Sequence, residues 1–437
     1  MRTIAEVVDN GLCMGCGTCV GVCPKDALEI RRRDHDRVFL PQIERDRCIK
    51  CGLCVKTCPG YSVDFEDLNQ RIFGKQPDDP YLGNYSRCYV GHSNDQDILH
   101  NSASGGLLSH LLIYALENDI IDAALVTRMR KDRPLESEAT IASTREEILA
   151  ASRSKYCPVA TNGLLKHIQR TSKRYAVVGL PCHIHGIRKA EETLPRLKER
   201  IVLHAGLLCS HAVNFDGTEL ILDKVGVRKE DVSELSYRGR GWPGHMSIRT
   251  RDGADRLIPL MGGWQGYWSI FSSFFFTPMR CLMCPDQANE LADISFGDAW
   301  LPELMRHRIG TSVVVTRTKL SEKILEQMRS EKIVSLDMVQ PAKVKQSQAP
   351  NLRFKKDDYE SRLKLLRALG KQTPNHELSH NMTGSPFGLV KGFYPYLGVR
   401  ASSSRLFQPV LTHLPFPLFR MYSALYRIPS ISQQNVG

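Results

Sequence analysis

Eight cysteines near the amino terminus lie in two runs with the same spacing, CxxCxxCxxxCP. The first run is Cys13, Cys16, Cys19 and Cys23, and the second is Cys48, Cys51, Cys54 and Cys58. In bacterial two-cluster ferredoxins, three thiolates of such a run bind one iron–sulfur cubane, and the fourth, before the proline, binds the neighbouring cubane. The spacing therefore predicts two [4Fe-4S] clusters, with the ligand sets Cys13, Cys16, Cys19, Cys58 and Cys48, Cys51, Cys54, Cys23.

A disulfide framework and two structural zinc sites are the alternatives for these cysteines. A zinc site needs only four ligands arranged as two pairs, and nothing in zinc chemistry requires the repeated trailing Cys-Pro. The doubled motif therefore favours electron transfer as the chemistry of this segment.

Two further cysteines follow predicted strands in the middle of the chain. YAVVGLPC places Cys182 just after one strand, and IVLHAGLLC places Cys209 at the end of the next, with room for one helix between them. A strand–helix–strand unit closes in parallel, so both strands end at the same edge of the sheet, where open α/β sheets hold their ligands. We therefore expect Cys182 and Cys209 to be neighbours.

The motif CLMCPDQ adds Cys281 and Cys284, which makes four thiols, the number that a cubane takes. A third cluster is one interpretation, and two buried free cysteines beside a zinc or redox CxxC pair are the other. From spacing alone, both stay open. Cys88 and Cys157 are predicted to be buried thiols.

A cluster chain can serve an enzyme when a flavin links one-electron to two-electron chemistry. The candidate stretch is HNSASGG, residues 100–106, directly before the amphipathic run LLSHLLIYALENDII. Small residues at a helix start expose backbone N–H groups to a phosphate, and the helix dipole assists. An ordinary serine cap followed by two glycines is the alternative.

Lys155 and Asp298 are two further candidates for the same site. Lys155 in SRSKYCP could pair with a phosphate or a flavin ring oxygen, and Asp298 in ISFGDAW follows a predicted strand. A surface lysine and a capping carboxylate are the alternatives. The GxGxxG in RGRGWPG is not expected to bind a dinucleotide, because Pro243 lies inside it and no helix-forming run follows.

The elements that must position these residues fall into an α+β or α/β arrangement. From Cys88 to Thr318, apolar runs alternate with amphipathic stretches, which predicts a mixed or parallel sheet covered by helices. The predicted strands include Ala123–Val126, Tyr175–Gly179, Ile201–Leu208 and Ser312–Val315. We divide the chain into a two-cluster ferredoxin domain (1–67), a linker rich in Gly, Pro, Asn and Asp (68–87), a mixed α/β flavin and cluster domain (88–341) and a basic, helical carboxy-terminal extension (342–437).

Composition narrows the class of partner. The 437 residues carry a formal net charge of +12, yet no nucleic-acid-binding motif accompanies it. An acidic redox protein such as a ferredoxin is the favoured partner, and a solvated basic surface without a partner is the alternative. The first residues lack the apolar stretch of a signal peptide, which predicts a cytoplasmic protein.

The carboxy-terminal tail mixes aromatic and basic residues. Packing of its helices on the body of the protein is the default interpretation, and contact with a membrane interface is the more specific one. The aromatic residues Trp264, Tyr267 and Trp268 could stack on a flat substrate, although core packing is commoner.

Four motifs together resemble the coenzyme F420 hydrogenase/dehydrogenase beta-subunit family, with a ferredoxin domain fused in front. They are HNSASGGLLSHLL, GLPCHIHGIRK, HAGLLCS and CLMCPDQANELADISFGDAW. The resemblance implies an FAD-containing iron–sulfur flavoprotein that passes electrons between clusters and a deazaflavin or another two-electron acceptor. It implies that Cys182, Cys209, Cys281 and Cys284 hold a cluster near the flavin, and that Ser104, Gly105 and Gly106 contact the flavin.

The sequence thus predicts an oxidoreductase in which a ferredoxin-like partner, the clusters and FAD serve a small two-electron substrate. Two alternatives belong to other classes: an electron-transfer subunit that docks onto a catalytic partner, and an accessory protein of polysaccharide biosynthesis, since related chains accompany such enzymes. Homo-oligomerisation stays open. The catalytic residues are not predicted.

Overall fold

The computed structural model describes residues 3–32, 37–262, 266–306, 309–380, 388–404 and 406–427. Its amino-terminal segment consists of α1 (Ile4–Asp9), α2 (Thr18–Gly21), β1 (Leu28–Arg31), β2 (Leu40–Ile43), α3 (Leu53–Lys56), β3 (Ser62–Asp64) and α4 (Phe65–Phe73). β1 and β2 pair antiparallel. The two short helices α2 and α3 begin after Gly17 and Gly52, whose φ angles of 84° and 76° lie in the left-handed region that glycine favours.

Helix α4 extends into the stretch that the sequence marks as a linker. The Asp64 carboxylate caps the helix by accepting the backbone N–H of Asp67, and buried Phe65 and Leu68 hold the helix on the body. The Gly and Pro residues that suggest a linker come after Phe73, so the helix ends there, at Gly74 with φ of 72°.

The body of the protein follows. Its elements are β4 (Arg87–Ser93), α5 (Gln96–Asn101), α6 (Leu107–Glu117), β5 (Ala123–Met129), β6 (Ser137–Ala142), α7 (Arg145–Ala150), α8 (Leu165–Arg170), β7 (Tyr175–Gly179), α9 (Pro181–Glu191), α10 (Pro195–Arg200), β8 (Ile201–Leu207), α11 (Phe215–Lys224), β9 (Val232–Ser236), β10 (His245–Thr250), β11 (Asp255–Pro259), α12 (Trp268–Phe271), β12 (Ile294–Asp298), α13 (Pro302–Met305), β13 (Ser312–Thr316), α14 (Lys319–Ser330) and β14 (Val334–Val339).

An eight-stranded mixed sheet forms the centre of this body, with the order β14-β4-β13-β12-β8-β7-β5-β6. The strands β5, β7, β8 and β12 run parallel to their neighbours in that group. β6, β13, β4 and β14 complete the sheet through antiparallel pairs. The mixed α/β fold and the four strands expected from the sequence are confirmed.

Both faces of the sheet are covered, and alternate residues of one strand serve opposite sides. On β5, Ala124 and Val126 pack with the helices α6 and α14, whereas Ala123 and Leu125 pack with α8 and α9. Strands buried on both faces read as continuous apolar runs. This explains why their sequences carry so few polar residues.

A separate three-stranded antiparallel sheet, in the order β11-β10-β9, lies beside the large one. Its core is aromatic and includes Tyr237, Tyr267 and Phe271. Tyr267 is fully buried and its hydroxyl donates to the Tyr237 carbonyl, so this side chain belongs to the core. Trp268 is half-buried in the same core, and Trp264 lies outside the described residues.

The carboxy-terminal region is helical and returns to the amino-terminal segment. Its elements are α15 (Pro341–Lys355), α16 (Tyr359–Ala368), β15 (Asn375–Glu377), α17 (Gly388–Ser403), α18 (Gln408–His413) and α19 (Phe416–Arg427). β15 pairs in parallel with β3. Within the described ranges, none of the helices is both long enough and apolar enough to cross a membrane.

Candidate functional site

The amino-terminal cysteines surround two separate cavities. One cavity is lined by Cys23, Cys48, Cys51 and Cys54. The other is lined by Cys13, Cys16, Cys19 and Cys58. The structure therefore brings together the same two sets that the spacing predicts, with the cysteine before each proline crossing to the other run.

Burial makes these thiols reluctant to ionise by themselves. It raises the pKa of Cys13 to about 12 and the pKa of Cys58 to about 11. Neighbouring thiolates add to the burial effect that raises the pKa of Cys19. Thiolate is the form that binds metal, so four such groups around one cavity require compensating positive charge, which iron supplies.

The four later cysteines also meet. β7 and β8 pair in parallel with Gly179 beside Gly206, so Cys182, at the start of α9, and Cys209, after β8, lie at one edge of the sheet. Burial raises the pKa of Cys182 well above its usual value, and the charges of Cys16, Cys209, Cys281 and Cys284 raise it further. The charges of these four thiols, and that of Cys16 from the amino-terminal segment, therefore lie within interaction range of one another.

Among the described residues, no three His, Cys, Asp or Glu side chains are gathered so as to hold one metal ion. A cubane has a different geometry, because each of its four thiolates binds a different iron atom. Its ligands surround the cluster and do not need to converge on one point.

A tight helix contact holds the group that contains Cys16 next to the third thiol group, which is Cys182, Cys209, Cys281 and Cys284. Gly186 of α9 lies against Thr18 of α2, and a Cβ atom at Gly186 would be 2.2 Å from the Thr18 hydroxyl. Asn162 bridges both helices by donating to the Thr18 Oγ1 and to the His183 carbonyl, each at 2.8 Å. Only glycine permits this approach, which sets the separation between Cys16 and Cys182.

Two buried cations and a half-buried one lie near these thiols, and the cysteine spacing does not predict them. The Arg280 side chain donates to the carbonyl oxygens of Gly60 and Met283 at 3.2 and 2.7 Å. Lys355, only 1% exposed, donates to the Cys281 carbonyl at 3.4 Å. Lys189 donates to the Cys58 carbonyl at 3.1 Å, and burial lowers its pKa to about 8. Arg280 directly precedes the CxxC motif in the sequence, and this position is the one feature that could have predicted its place near the thiols.

The serine–glycine turn predicted to contact a flavin lies at the same edge of the sheet. Gly106, with φ of 73°, precedes α6, and the Gly105 N–H donates to the Ser312 Oγ at 3.0 Å. The Ser104 hydroxyl donates to the Thr311 carbonyl at 2.9 Å. A Cβ atom at Gly105 would be 2.5 Å from the Gly91 carbonyl, so the turn rests directly on the ends of β4 and β13.

Asp298 lies beside this turn and accepts hydrogen bonds from two side chains of the RGRGWPG loop. Arg238, 1% exposed, donates to it at 3.2 and 3.3 Å, and the Trp242 indole donates at 3.0 Å. Arg238 also donates to the Ala103 carbonyl. The loop that contains the GxGxxG pattern therefore forms one wall around the turn, in a context other than the strand–turn–helix of a dinucleotide fold.

Lys155 binds backbone oxygens at the end of α7. Its amine donates to the carbonyls of Ala151, Ser152 and Arg153 at 2.5, 2.6 and 3.0 Å, which uses all three of its hydrogens. Burial lowers the pKa of Lys155 to about 7. The cations in contact with the turn segment are Arg153, which donates to the Asn101 carbonyl at 3.0 Å, and Arg238.

Strand order places Cys209 and the turn at one edge of the sheet. Phe296 of β12 lies beside Leu207, the last residue of β8, and Cys209 follows two residues later with its N–H donating to the Gln287 carbonyl. Asp298 pairs with Ser312 of β13, on which the turn rests. Since neighbouring strands are about 4.8 Å apart, β8 and β13, which lie on either side of β12, are separated by roughly 10 Å.

The two remaining cysteines are buried as expected. Cys88 is 2% exposed on β4, and Cys157 is 5% exposed in the core of the smaller sheet. Each lies in an apolar cluster, so both serve as packing side chains.

Sequence comparison defines the class of this protein. Residues 12–62 match the family described as the 4Fe-4S dicluster domain, which is the segment that lines the first two cavities. Residues 88–166 and 172–342 match the N-terminal and C-terminal models of the coenzyme F420 hydrogenase/dehydrogenase beta subunit.

Several characterised proteins are similar to this chain. The coenzyme F420 hydrogenase subunit beta of Methanothermobacter thermautotrophicus is 31% identical over 258 residues, which cover 56% of this chain and 82% of that protein. The coenzyme F420-dependent sulfite reductase of Methanocaldococcus jannaschii is 26% identical over 370 residues, and this chain spans about half, 51%, of its length.

A solved structure has the same fold. A chain of the F420-reducing [NiFe] hydrogenase complex from Methanosarcina barkeri superimposes with a TM-score of 0.53 at 23% identity, covering 68% of this chain and 98% of that one. The protein is thus an iron–sulfur oxidoreductase. It belongs to the coenzyme F420 hydrogenase/dehydrogenase beta-subunit family, as its four motifs predict.

Proposed function

We propose that this protein passes electrons between a ferredoxin-like partner and a small two-electron organic substrate, through three [4Fe-4S] clusters and FAD. The observation that carries the proposal is the continuous arrangement of the thiol groups. The two amino-terminal groups line neighbouring cavities, and α2, which follows Cys16, contacts α9, which carries Cys182, through Thr18 and Gly186. Cys209 follows β8 at the sheet edge where the Ser104–Gly106 turn lies. The direction of electron flow depends on the potentials of the clusters.

The outermost cysteine group supplies the entry or exit point for single electrons. Cys51 is exposed, and its cavity is bordered by Lys25, Lys50 and Ile49, which is 57% exposed. Two lysines beside an exposed apolar side chain suit an acidic redox protein. The overall positive charge of the chain supports the same type of partner.

The residues around the turn fit an anionic, planar cofactor. Arg153 and Arg238 bring positive charge to it, and the buried Nε of Arg238 has no hydrogen-bond partner among the described residues. Trp242 and Trp300 provide aromatic surface next to Asp298, with ring centroids 5.2 Å apart. FAD bound here would supply the exchange between one-electron and two-electron steps. The family's relatives act on coenzyme F420 by name, so a deazaflavin is our first candidate substrate.

Iron and flavin analysis of protein purified without oxygen tests the proposal. Three cubanes predict about 12 iron atoms for each chain, together with one FAD released on denaturation. The variant Cys209→Ser should lose about four of these irons, because it removes one ligand of the third group. Cys88→Ser is the control, since Cys88 is a buried cysteine that lies outside the thiol groups, and this variant should retain all the irons. Protein that contains eight irons and no flavin would contradict the proposal.

A second function is favoured by the names of the relatives, several of which are called subunits. In that case the chain carries electrons to a catalytic partner without acting on a substrate itself. The isolated protein would then reduce one-electron dyes only. Reduction of a soluble deazaflavin by the isolated, cluster-loaded chain would instead support the first proposal.

A further inference from the structure

The helices α17, α18 and α19, with the turn that joins α17 to α18, expose an unusual amount of apolar surface. The exposed side chains, which we call the apolar patch, are Leu389, Val390, Phe393, Leu397, Leu406, Phe407, Val410, Leu418 and Met421. Val390 is 72% exposed and Leu406 is 86% exposed. Single exposed apolar residues are normal, but nine within one short region mark an interaction surface.

Close packing fixes which side of α17 faces outward. Gly392 lies against Arg362, and Gly398 lies against the Ser273 carbonyl, where a Cβ atom would approach it to 3.0 Å. The two glycines therefore seat one side of the helix on the body. Patch residues of α17 occupy positions i, i+1, i+4 and i+8 from Leu389, a spacing that places them together on another side of the helix.

The other two helices are held in the same way. Phe419 of α19 is buried and packs edge-on against Phe275, with ring centroids 5.5 Å apart. Lys224 donates to the carbonyl of Thr412 at 3.0 Å, which holds the end of α18. The buried residues anchor the helices, and the patch residues remain on their outer sides.

The charge of the region indicates what the patch contacts. From Leu378 to the end of the chain there is no Asp or Glu, whereas Lys391, Arg400, Arg405, Arg420 and Arg427 are basic. Arg400 and Arg420 are exposed on the same helices as the patch. Apolar and aromatic side chains flanked by arginines, on helices that do not span a bilayer, are the composition of a segment that lies in a membrane interface.

We propose that α17–α19 bind the surface of an anionic lipid bilayer without crossing it. The apolar patch would enter the boundary between headgroups and acyl chains, and Arg400 and Arg420 would contact the lipid phosphates. This inference does not depend on the proposed redox function, because it uses none of the cysteine or turn residues.

Sedimentation with lipid vesicles tests it, with full-length, cluster-loaded protein. We expect binding to vesicles of phosphatidylcholine mixed with phosphatidylglycerol, weaker binding at high salt, and little binding to phosphatidylcholine alone. The double variant Arg400→Gln, Arg420→Gln should weaken binding by about fivefold for each arginine removed. Arg256→Gln, an exposed arginine on β11, is the control and should change nothing.

The triple variant Val390→Ser, Leu406→Ser, Met421→Ser should weaken vesicle binding by roughly tenfold or more. Leu257→Ser with Met338→Ser is its matched control, because these side chains are 48% and 65% exposed on strands far along the chain from the patch. Unchanged iron content in every variant excludes unfolding as the cause. Equal binding to neutral and anionic vesicles, or full binding by the triple variant, would overturn the proposal. Self-association of the native protein that the triple variant abolishes would also overturn the proposal, because a second copy of the chain would then cover the patch.

Discussion

Lys355 illustrates how a single residue outside the motifs affects the third thiol group. It is the last residue of α15, it is buried, and its charge opposes the burial effect that raises the pKa of Cys209 to about 12. It acts in the same sense on Cys281. A buried cation beside a cluster favours the more negative, reduced state, because charges interact strongly where water is excluded.

The variant Lys355→Met should therefore lower the reduction potential of the proposed third cluster. We expect a shift of several tens of millivolts, given that about 59 mV corresponds to a factor of ten for one electron. Potentiometric titration followed by electron paramagnetic resonance measures it. Lys364→Met, at an exposed lysine of α16, is the control. An unchanged potential in a variant with full iron content would show that Lys355 has a packing role only.

Lys155 gives a pH dependence with a defined sign. Its pKa is lowered by burial from 10.5 to about 7, so between these values the unfolded chain binds a proton that the folded protein does not. Stability should then rise with pH from about 7 to 10.5, by at most about 1.4 kcal/mol per pH unit from this group. Below pH 7 the amine is charged in both the folded and the unfolded state, so burial of the charge lowers the free energy of unfolding by its full amount.

The difference in free energy of unfolding between the native protein and Lys155→Met isolates this contribution. We expect that difference to change with pH over the alkaline range, as measured by thermal unfolding at several pH values. Lys131→Met, at an exposed lysine, should give a difference that is constant with pH. A constant difference for Lys155→Met as well would contradict the assignment.

At the scale of elements, a buried charge network holds the helix and strands that carry the third thiol group. Asp293, just before β12, accepts from Arg188 of α9 at 2.8 Å and contacts the His204 ring of β8 at 3.0 Å. Glu191 contacts the other ring nitrogen of His204 at 2.7 Å. The pKa of Asp293 is held well below its usual value because Arg188 and His204 outweigh the opposing effect of burial.

Replacing Asp293 with Asn should lower the free energy of unfolding by up to about 3–5 kcal/mol, because buried Arg188 and His204 then share Glu191 as their one remaining carboxylate. The stabilisation from the lowered pKa of Asp293 is complete above the unfolded-state value of 3.8 and declines progressively below it, so the loss should shrink as the pH falls. Thermal unfolding near neutral and acidic pH measures both effects. Asp337→Asn, at an exposed carboxylate of β14, should have little effect. An equal loss at both pH values would contradict the electrostatic explanation.

At the scale of the whole molecule, Arg280 joins segments that are far apart in the sequence. Its guanidinium donates to the carbonyls of Pro59 and Gly60 after the ferredoxin cysteines, and it contacts the His376 ring of β15 at 2.9 Å. β15 in turn pairs with β3. The amino-terminal segment, the CxxC turn and the carboxy-terminal region therefore form one packed unit around the thiols.

The variant Arg280→Met should loosen this unit. Hydrogen bonds from a charged donor contribute about 1.5–3 kcal/mol each, so we expect a loss of several kcal/mol and faster proteolysis of the amino-terminal segment. Limited proteolysis and iron analysis measure these effects, with Arg256→Met as the control. Cleavage at the native rate would show that β15 and α16 hold the segment without Arg280.

Some features were accessible from the sequence because they depend on local spacing. Four strands, the mixed sheet and the meeting of Cys182 with Cys209 follow from short apolar runs and from the handedness of a strand–helix–strand unit. Arg238 and Lys355 were not accessible, because their neighbours come from distant parts of the chain. The contact between the RGRGWPG loop and Asp298 could not be predicted either, because the two segments are far apart in the sequence.

By itself, the sequence determined the chemistry of this protein: the cysteine spacings specify which thiols can share a cubane, and the four family motifs specify an oxidoreductase of the F420 hydrogenase/dehydrogenase beta-subunit family. Only the tertiary structure decided the order of the thiol groups, the buried cations around them and the outward face of the tail helices. Ligand spacing is a property of neighbouring residues, whereas proximity between groups and burial of charge arise when distant segments pack together.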